Sequence, residues 1–360
     1  MSKHPAQPVK TADLCLPRGT GAGLLLVVVV GLLAACTSNS TTESTPYGLR
    51  ADLQGTPPER TWVEPTVHKT VTLPSGEDYT LFNPAAVWIL RDGRVCVWDA
   101  GDYKLKTFTM GGDYVTAYGE GKGQGPGQMR GFRNVGLRKD SLYVHDPLNR
   151  RVSFFGKNGK LGRSQQYEDP LGHFAWSEST RYELYRGPGV PPSMEITTAS
   201  GRTTRISEVQ TQNVSSIVFD GFLHATGQRR AVYAPYYYPL LLTVAPGDTV
   251  ANAYPTPDYG EAPLPEPRRE GSAGQEIVRP PSDKVNWKSE LDGGVLSVQQ
   301  LDVSDEVIAF DLYDIREMQY MHSVRWPLDN ASAKYAYEKG LLAVERDTTV
   351  DLYKVEHSTP

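Results

Sequence analysis

The sequence predicts an all-β chain folded as a six-bladed β-propeller, and three observations carry that prediction. One structural unit is written twice: at an offset of 47 residues and without a gap, DGRVCVWDAGDYKLKTFTMGGD (92–113) falls on KDSLYVHDPLNRRVSFFGKNGK (139–160). Leu90 meets Leu137, Val97 meets Val144, Asp99 meets Asp146, Phe108 meets Phe155 and Gly112 meets Gly159. A period in the 40s built from short strands and turn residues is a propeller blade, not a helical array. The composition agrees, since 34 Gly, 27 Pro and 20 Tyr in 360 residues suit a long, loop-rich β domain with room for a large core. Finally, the strands that follow the repeat sum to six blades only if an isolated N-terminal strand completes the last, which is how a ring closes without an open sheet edge.

Residues 1–35 read as a targeting signal. Lys3, Lys10 and Arg18 form a basic region, GAGLLLVVVVGLLAA is apolar, and the small residues Ala34 and Ala35 precede Cys36. The apolar run falls short of the roughly 20 residues a spanning helix needs. Leu33-Ala34-Ala35-Cys36 resembles the bacterial lipoprotein lipobox. The resemblance implies that Cys36 is lipidated through its thiol and becomes the first residue of the mature chain, and several acyl chains give a stable anchor. TSNSTTESTP follows as a polar tether, assigned to 36–60. Thr37, rather than Asp, follows the lipidated cysteine, so the sorting rule of enteric bacteria favours the outer membrane. Cys15 leaves with the signal, and Cys96 stands alone in an apolar strand as a small buried hydrophobe.

The propeller is expected over 61–360. Blade one should hold strands at Ala85–Leu90, Arg94–Trp98, Lys104–Thr109 and Tyr114–Tyr118, and blade two the same pattern from Phe132 to about Tyr167. Blade three, about Phe174 to Ile206, carries the hairpin MEITTASGRTTRI with its Ser-Gly turn, and blade four, about Ser216 to Tyr254, ends in LLLTVAPGDTV. Blade five is read from Gly294 to Trp326. The last segment, Lys339 to Val355, offers two or three strands, which VHKTVTL (67–73) would complete. The stretch 255–286 is too rich in Pro and charge for strands and is read as an insertion or as a loop over one face.

With these residues in view, VWDAGDYKLKTFTMGGDYVTAYGEGKGQGPGQM and VHDPLNRRVSFFGKNGKL resemble consecutive NHL repeats, and the whole chain is similar to the NHL/TolB-like six-bladed lipoproteins of bacteria. The resemblance implies the propeller fold and leaves the activity open.

Few motifs carry chemistry. GEGKGQGPGQM (119–129) lacks the helix N-terminus and Lys-Ser/Thr pair of a phosphate loop and reads as a connector between blades. Asp99 and Asp146, at equivalent strand ends, are expected to pin the turns that follow. His145 takes the slot of Trp98 and is a candidate either to face the channel, as a ligand-binding group, or to fill a blade interface, while His173, His224 and His322 are scattered without metal-ligand spacing. No G-x-S-x-G elbow occurs, so no catalytic residue, cofactor or metal is assigned. Tyr233, Tyr236, Tyr237 and Tyr238, with Arg229 and Arg230 just upstream, form the candidate ligand patch, because Tyr suits surfaces that are apolar at one end and wet at the other; the competing reading packs these rings between blades four and five and leaves the arginines in a solvated turn.

The net charge is −5, and removing Lys3, Lys10, Arg18 and Asp13 with the signal leaves 34 basic against 41 acidic groups, a net of −7. An acidic body does not attract a phosphate backbone, so nucleic acid is not an expected partner. The expectation is a lipid-anchored, extracytoplasmic module that binds an envelope protein, a peptide or a glycan. The alternative is a metal-dependent hydrolase or lyase of the lactonase or NHL-lyase type with its site in the central channel.

Overall fold

The computed structural model describes residues 48–357 apart from 74–78, 169–170, 178, 188–189, 208, 210–218, 228, 261–265, 271–274, 280–285, 302–306, 328–334 and 339. Cys36, the signal at 1–35 and the tether up to residue 47 lie outside the described residues. Six blades follow one another along the chain, each an antiparallel four-stranded sheet whose strands pair in chain order, except that the last takes its outermost strand from the N-terminal end. Blade one is Pro84–Ile89, Val95–Asp99, Lys104–Phe108 and Tyr114–Tyr118, and blade two repeats it as Asn134–Arg138, Ser141–Asp146, Arg151–Phe155 and Leu161–Gln166. Blades three, four and five begin on Leu171–Ser177, Gly221–Ala225 and Asn286–Asp292 and end on Thr203–Ile206, Ala251–Pro255 and Gln319–Pro327. Blade six is Tyr335–Glu338, Leu341–Glu345 and Val350–His357, completed by Pro65–Leu73 from the other end of the chain, with Leu73 opposite Val350 and Val67 opposite Val355.

The core is divided among the gaps between blades. Val95 and Val97 of blade one pack with Leu73, Leu341 and Val350 of blade six, whereas the intervening Cys96 and Trp98 pack with Val135, Leu142 and Phe155 of blade two. A strand flanked by blades on both sides is buried at every position, and Val95–Asp99 is buried throughout. VCVW therefore reads as an unbroken apolar run although its side chains alternate between two cores. The remaining gaps repeat the pattern, with Phe174 between blades two and three, Tyr233 between three and four, Leu241 and Leu296 between four and five, and Phe310 and Tyr337 between five and six.

The equivalence of the two repeats extends to backbone detail. Gly112 and Gly159 both take positive φ, 93° and 77°, at the outer turn of their blades. A Cβ at Gly112 would meet Val71 of blade six, and one at Gly159 would meet the Ala117 carbonyl of blade one, so each turn abuts the outermost strand of the preceding blade. Asp99 accepts the backbone N–H groups of Phe82, Asn83 and Gly101 at 2.8, 2.9 and 3.0 Å. Its counterpart Asp146 accepts those of Arg130 and Asn149 at 2.9 and 3.1 Å. The two carboxylates clamp the connector entering a blade to the second turn inside it.

Three sequence expectations change. The tether does not extend to residue 60: Leu49 and Ala51 are buried, Ala51–Leu53 pairs in parallel with Ala251–Ala253 of blade four, and Trp62–Val63 pairs in parallel with Ser323–Val324 of blade five. This segment covers the outer edges of two sheets before closing a third, and an uncovered edge is a site for unwanted strand pairing. Blade five gains an inner strand, Asn286–Asp292, whose Lys288 and Glu290 reach backbone groups of blades one and six. Within 255–286, the strands Glu266–Glu270 and Gln275–Arg279 form an antiparallel hairpin where the Pro and charge content argued against strands. An isolated hairpin needs only local turn and backbone pairing, which that composition permits.

Closure through Pro65–Leu73 gives a direct expectation. Leu73 is fully buried at the seam between blades six and one. Leu73→Ala should lower stability by about 2–5 kcal/mol, read as a shifted midpoint in urea unfolding.

Candidate functional site in the central channel

The innermost strands line the channel, and each presents one backbone edge with no neighbouring strand. Side chains supply the missing partners. Asn134 of blade two donates through Nδ2 to Phe174 O of blade three at 2.9 Å and Leu223 O of blade four at 3.2 Å. Lys288 of blade five donates through Nζ to Val87 O of blade one at 2.6 Å and Tyr335 O of blade six at 2.9 Å. Glu290, 2.7 Å from the Lys288 ammonium, faces the Ile89 N–H of blade one at 3.4 Å. Burial pushes the Glu290 carboxyl up, with Lys288 opposing.

The face where the innermost strands begin is filled by an ionic cluster centred on Asp220. His173 Nε2 lies 2.9 Å from Asp220 Oδ1, and Arg133 and Arg186 reach Oδ2 at 2.9 and 3.2 Å. The Gly221 N–H adds a fourth bond at 2.9 Å. Three blades are joined on one carboxylate. Burial alone would raise the Asp220 carboxyl, but the His173 hydrogen bond and the charges of Arg133 and Arg186 hold it well below the usual carboxylate range.

The predicted site residues fall in separate places. His145 is 1% exposed, packed beside this cluster rather than open to the channel, and neither ring nitrogen has a hydrogen-bond partner among the described residues. Burial lowers it to about 3, with the nearby His173, Arg133 and Arg186 acting in the same direction. Tyr233, Tyr237 and Tyr238 are buried at 1%, 8% and 0% exposure, so they do not form an exposed aromatic patch. The reason is their position: Ala231–Pro235 is an interior strand of blade four, and both of its faces meet neighbouring blades. Tyr233 donates its hydroxyl to Phe219 O at 3.0 Å. Tyr236 is half-buried, and burial followed by the Asp220 charge pushes its phenol up to about 12. Arg229 and Arg230 precede the strand that Tyr236 follows, so the strand's length of about 16 Å separates them. Cys96 is buried, and burial pushes its thiol up.

The connector 119–129 satisfies its own backbone. Glu120 N–H donates to Gly127 O at 2.9 Å and Met129 N–H to Gly121 O at 2.9 Å. Arg151 holds the carbonyls of Gln124 and Gln128, and Asn149 that of Gly123.

Sequence reasoning raised a channel site only for its enzyme alternative and did not name the residues that line the channel cavity. A cavity of about 110 Å³ opens among strands of five blades, lined by Trp88, Trp176, Phe222, His224, Ser289 and Arg91 among others, and it reaches the opposite face at the turn holding Arg91. His224 Nε2 lies 2.8 Å from Ser289 Oγ, and burial lowers His224 to about 4. Tyr143 crosses beneath Gly136, where a Cβ would collide with its hydroxyl. Its phenol is pushed up to about 12 by burial, against the Trp176 backbone hydrogen bond and the charge of Arg91. Among the described residues no three His, Cys, Asp or Glu side chains converge as a metal-binding group.

Comparison with solved structures agrees on the architecture. This chain is a six-bladed β-propeller. A protein from Bacteroides fragilis described as exported matches over 83% of this chain and 100% of its own, with TM-score 0.52 and 9% identity. A member of the DUF4221 family from Bacteroides vulgatus matches over the same shares with TM-score 0.53 and 11% identity. A streptogramin B lyase covers 81% of this chain at TM-score 0.48 and 9% identity. Likeness at this level establishes the fold alone. No protein-family model and no curated protein matches the sequence.

The buried histidines set a pH dependence. In the unfolded chain they take up a proton near 6.5, while in the fold His145 and His224 stay neutral down to about 3 and about 4. Between those values the unfolded state holds more protons, so stability falls as pH falls from 6.5 toward 4, by on the order of 2 kcal/mol per histidine at pH 5. Urea midpoints at pH 7.5 and 5 should show the loss, and His145→Leu should reduce its slope.

Proposed function

We propose that this protein is a lipid-anchored, extracytoplasmic β-propeller that binds a sugar residue of an envelope glycan in its central channel. The observation that carries the reading is the cavity itself. It combines the rings of Trp88, Trp176 and Phe222 with the hydrogen-bonding groups of His224 and Ser289. A sugar ring has apolar C–H faces and a hydroxyl rim, and aromatic walls with a few fixed polar groups match both. The volume of about 110 Å³ suits one ring rather than a folded partner. The opposite face is occupied by the Asp220 cluster, whose groups bind one another. Anchoring rests on the Leu33-Ala34-Ala35-Cys36 sequence, and the extracytoplasmic address also on the B. fragilis neighbour described as exported. Thr37 after the cysteine favours the outer membrane.

Two experiments test these parts separately. Cys36→Ser should move the protein from the membrane fraction to the soluble fraction, and retention in the membrane would remove the lipid anchor. A glycan array probed with the full chain in detergent should yield ligands whose binding weakens about tenfold in Trp88→Ala and Trp176→Ala, the scale of one lost aromatic contact. Binding to peptides and to no glycan would overturn the sugar reading.

A further inference from the structure

Part of the cavity wall is main chain. Ile89 and Leu223 line the cavity, yet the Ile89 side chain packs in the core between blades six and one, and that of Leu223 in the core between blades three and four. What they turn toward the channel is backbone. The ladder shows which groups these are. Thr226 N–H donates to Arg230 O and Tyr236 N–H to Asp220 O, so along Gly221–Ala225 the even-numbered residues bond to the second strand and the odd-numbered ones direct N–H and C=O into the channel. Leu223 O accordingly accepts from Asn134 Nδ2 of blade two. In blade one, Leu90 N–H donates to Arg94 O, which leaves Val87 and Ile89 directed inward. Val87 O takes the Lys288 ammonium, and Ile89 N–H faces Glu290.

These side chains do not cover the whole inner edge. Among the described residues, the Ala225 N–H and the Ile89 C=O have no hydrogen-bond partner. Ala225 also lines the cavity. The two residues are equivalent, since each directly precedes the residue whose N–H closes the first hairpin of its blade, Leu90 onto Arg94 and Thr226 onto Arg230. They therefore lie at the same depth. Blades one and four stand opposite each other in a ring of six, so a free donor and a free acceptor face one another across the cavity. Backbone groups in such a place are costly unless a ligand or water takes them.

Resting on the glycan reading above, we infer that the sugar bound in this cavity carries an acetamido group, whose C=O accepts from Ala225 N–H and whose N–H donates to Ile89 C=O. A secondary amide is planar and trans, so its N–H and C=O point in opposite directions. That matches a donor on one wall and an acceptor on the other, whereas a hydroxyl offers both functions from a single atom and reaches one wall. The rings of Trp88, Trp176 and Phe222 receive the acetamido methyl and the C–H face of the sugar. The amide is neutral, which suits a lining that holds Glu290 and Arg91, of opposite sign.

The test is isothermal titration of the full chain in detergent with methyl glycosides of the gluco and galacto series, each carrying at C2 an acetamido group, a hydroxyl, an ammonium or an O-acetyl ester. In one series the acetamido sugar should bind about tenfold or more tightly than the hydroxyl sugar, the scale of hydrogen bonds to otherwise unpaired groups. The ester keeps the carbonyl and lacks the N–H, so it should lose much of that gain. The Ala225 N–H takes no part in the ladder, so Ala225→Pro removes it without breaking a strand pair and should abolish the preference, with thermal melting verifying the fold. Should that variant fail to fold, the ester comparison on the native chain decides alone. Equal affinity for acetamido and hydroxyl sugars, or an ester as tight as the amide, would overturn the amide while leaving the glycan site standing. Tightest binding of the ammonium sugar would also overturn it, by assigning recognition to Glu290. Binding of none of these, together with an array that shows no glycan ligand, would remove both the inference and the reading beneath it.

Discussion

Unpaired backbone at the centre of the ring is the constraint on which the structure depends. Six sheets can be arranged around an axis only if the innermost strand of each leaves one edge facing the channel, and N–H and C=O groups buried there without partners are costly. Asn134, Lys288 and Glu290 meet that need by reaching across blades: Asn134 touches blades three and four, and Lys288 touches blades one and six. The outer rim faces the mirror problem. There the N-terminal segment lays Ala51–Leu53 on blade four and Trp62–Val63 on blade five, then closes blade six with Pro65–Leu73. Inner staples and outer wrap act on different edges, and both hold successive blades at fixed spacing.

That spacing creates an asymmetric channel. At one face Asp220 draws Arg133, Arg186 and His173 together, and the groups are satisfied by one another. Toward the other face the walls are aromatic, and a cavity opens among Trp88, Trp176 and Phe222. A buried ion network is weak evidence for net stability, since its desolvation offsets much of its attraction. Here Asp220 specifies how blades two, three and four meet.

What the sequence disclosed follows from the distance over which each feature is encoded. The blade is local: hairpins, Gly112 and Gly159 at the outer turns, and Asp99 and Asp146 at the strand ends all lie within one repeat, so an offset of 47 residues reveals them. Closure by Pro65–Leu73 was legible because a ring leaves the last sheet one strand short. The site was not legible, because Trp88, Trp176, His224 and Ser289 come from four blades and share no motif. Only Gly136, an unexpected glycine inside an inner strand and pressed against Tyr143, carried a local hint of close approach. For the tyrosines 233 and 236–238 the sequence left a ligand patch and packing between blades both open, and the structure favours packing: a strand enclosed by blades on both sides has no wet face, so buried rings there fill cores instead of presenting a surface.

The central claim is that channel side chains hold the ring by satisfying its inner backbone edges, and a double-mutant cycle on Lys288 and Glu290, followed by urea unfolding, tests it most directly. Lys288→Met removes two inter-blade hydrogen bonds and strands a buried carboxylate, so the account predicts a loss of about 3–5 kcal/mol. Adding Glu290→Gln should recover part of that loss by removing the charge, leaving the contribution of the backbone bonds. Unchanged stability in Lys288→Met would contradict the claim and assign closure of the ring to the blade cores and the outer strand alone.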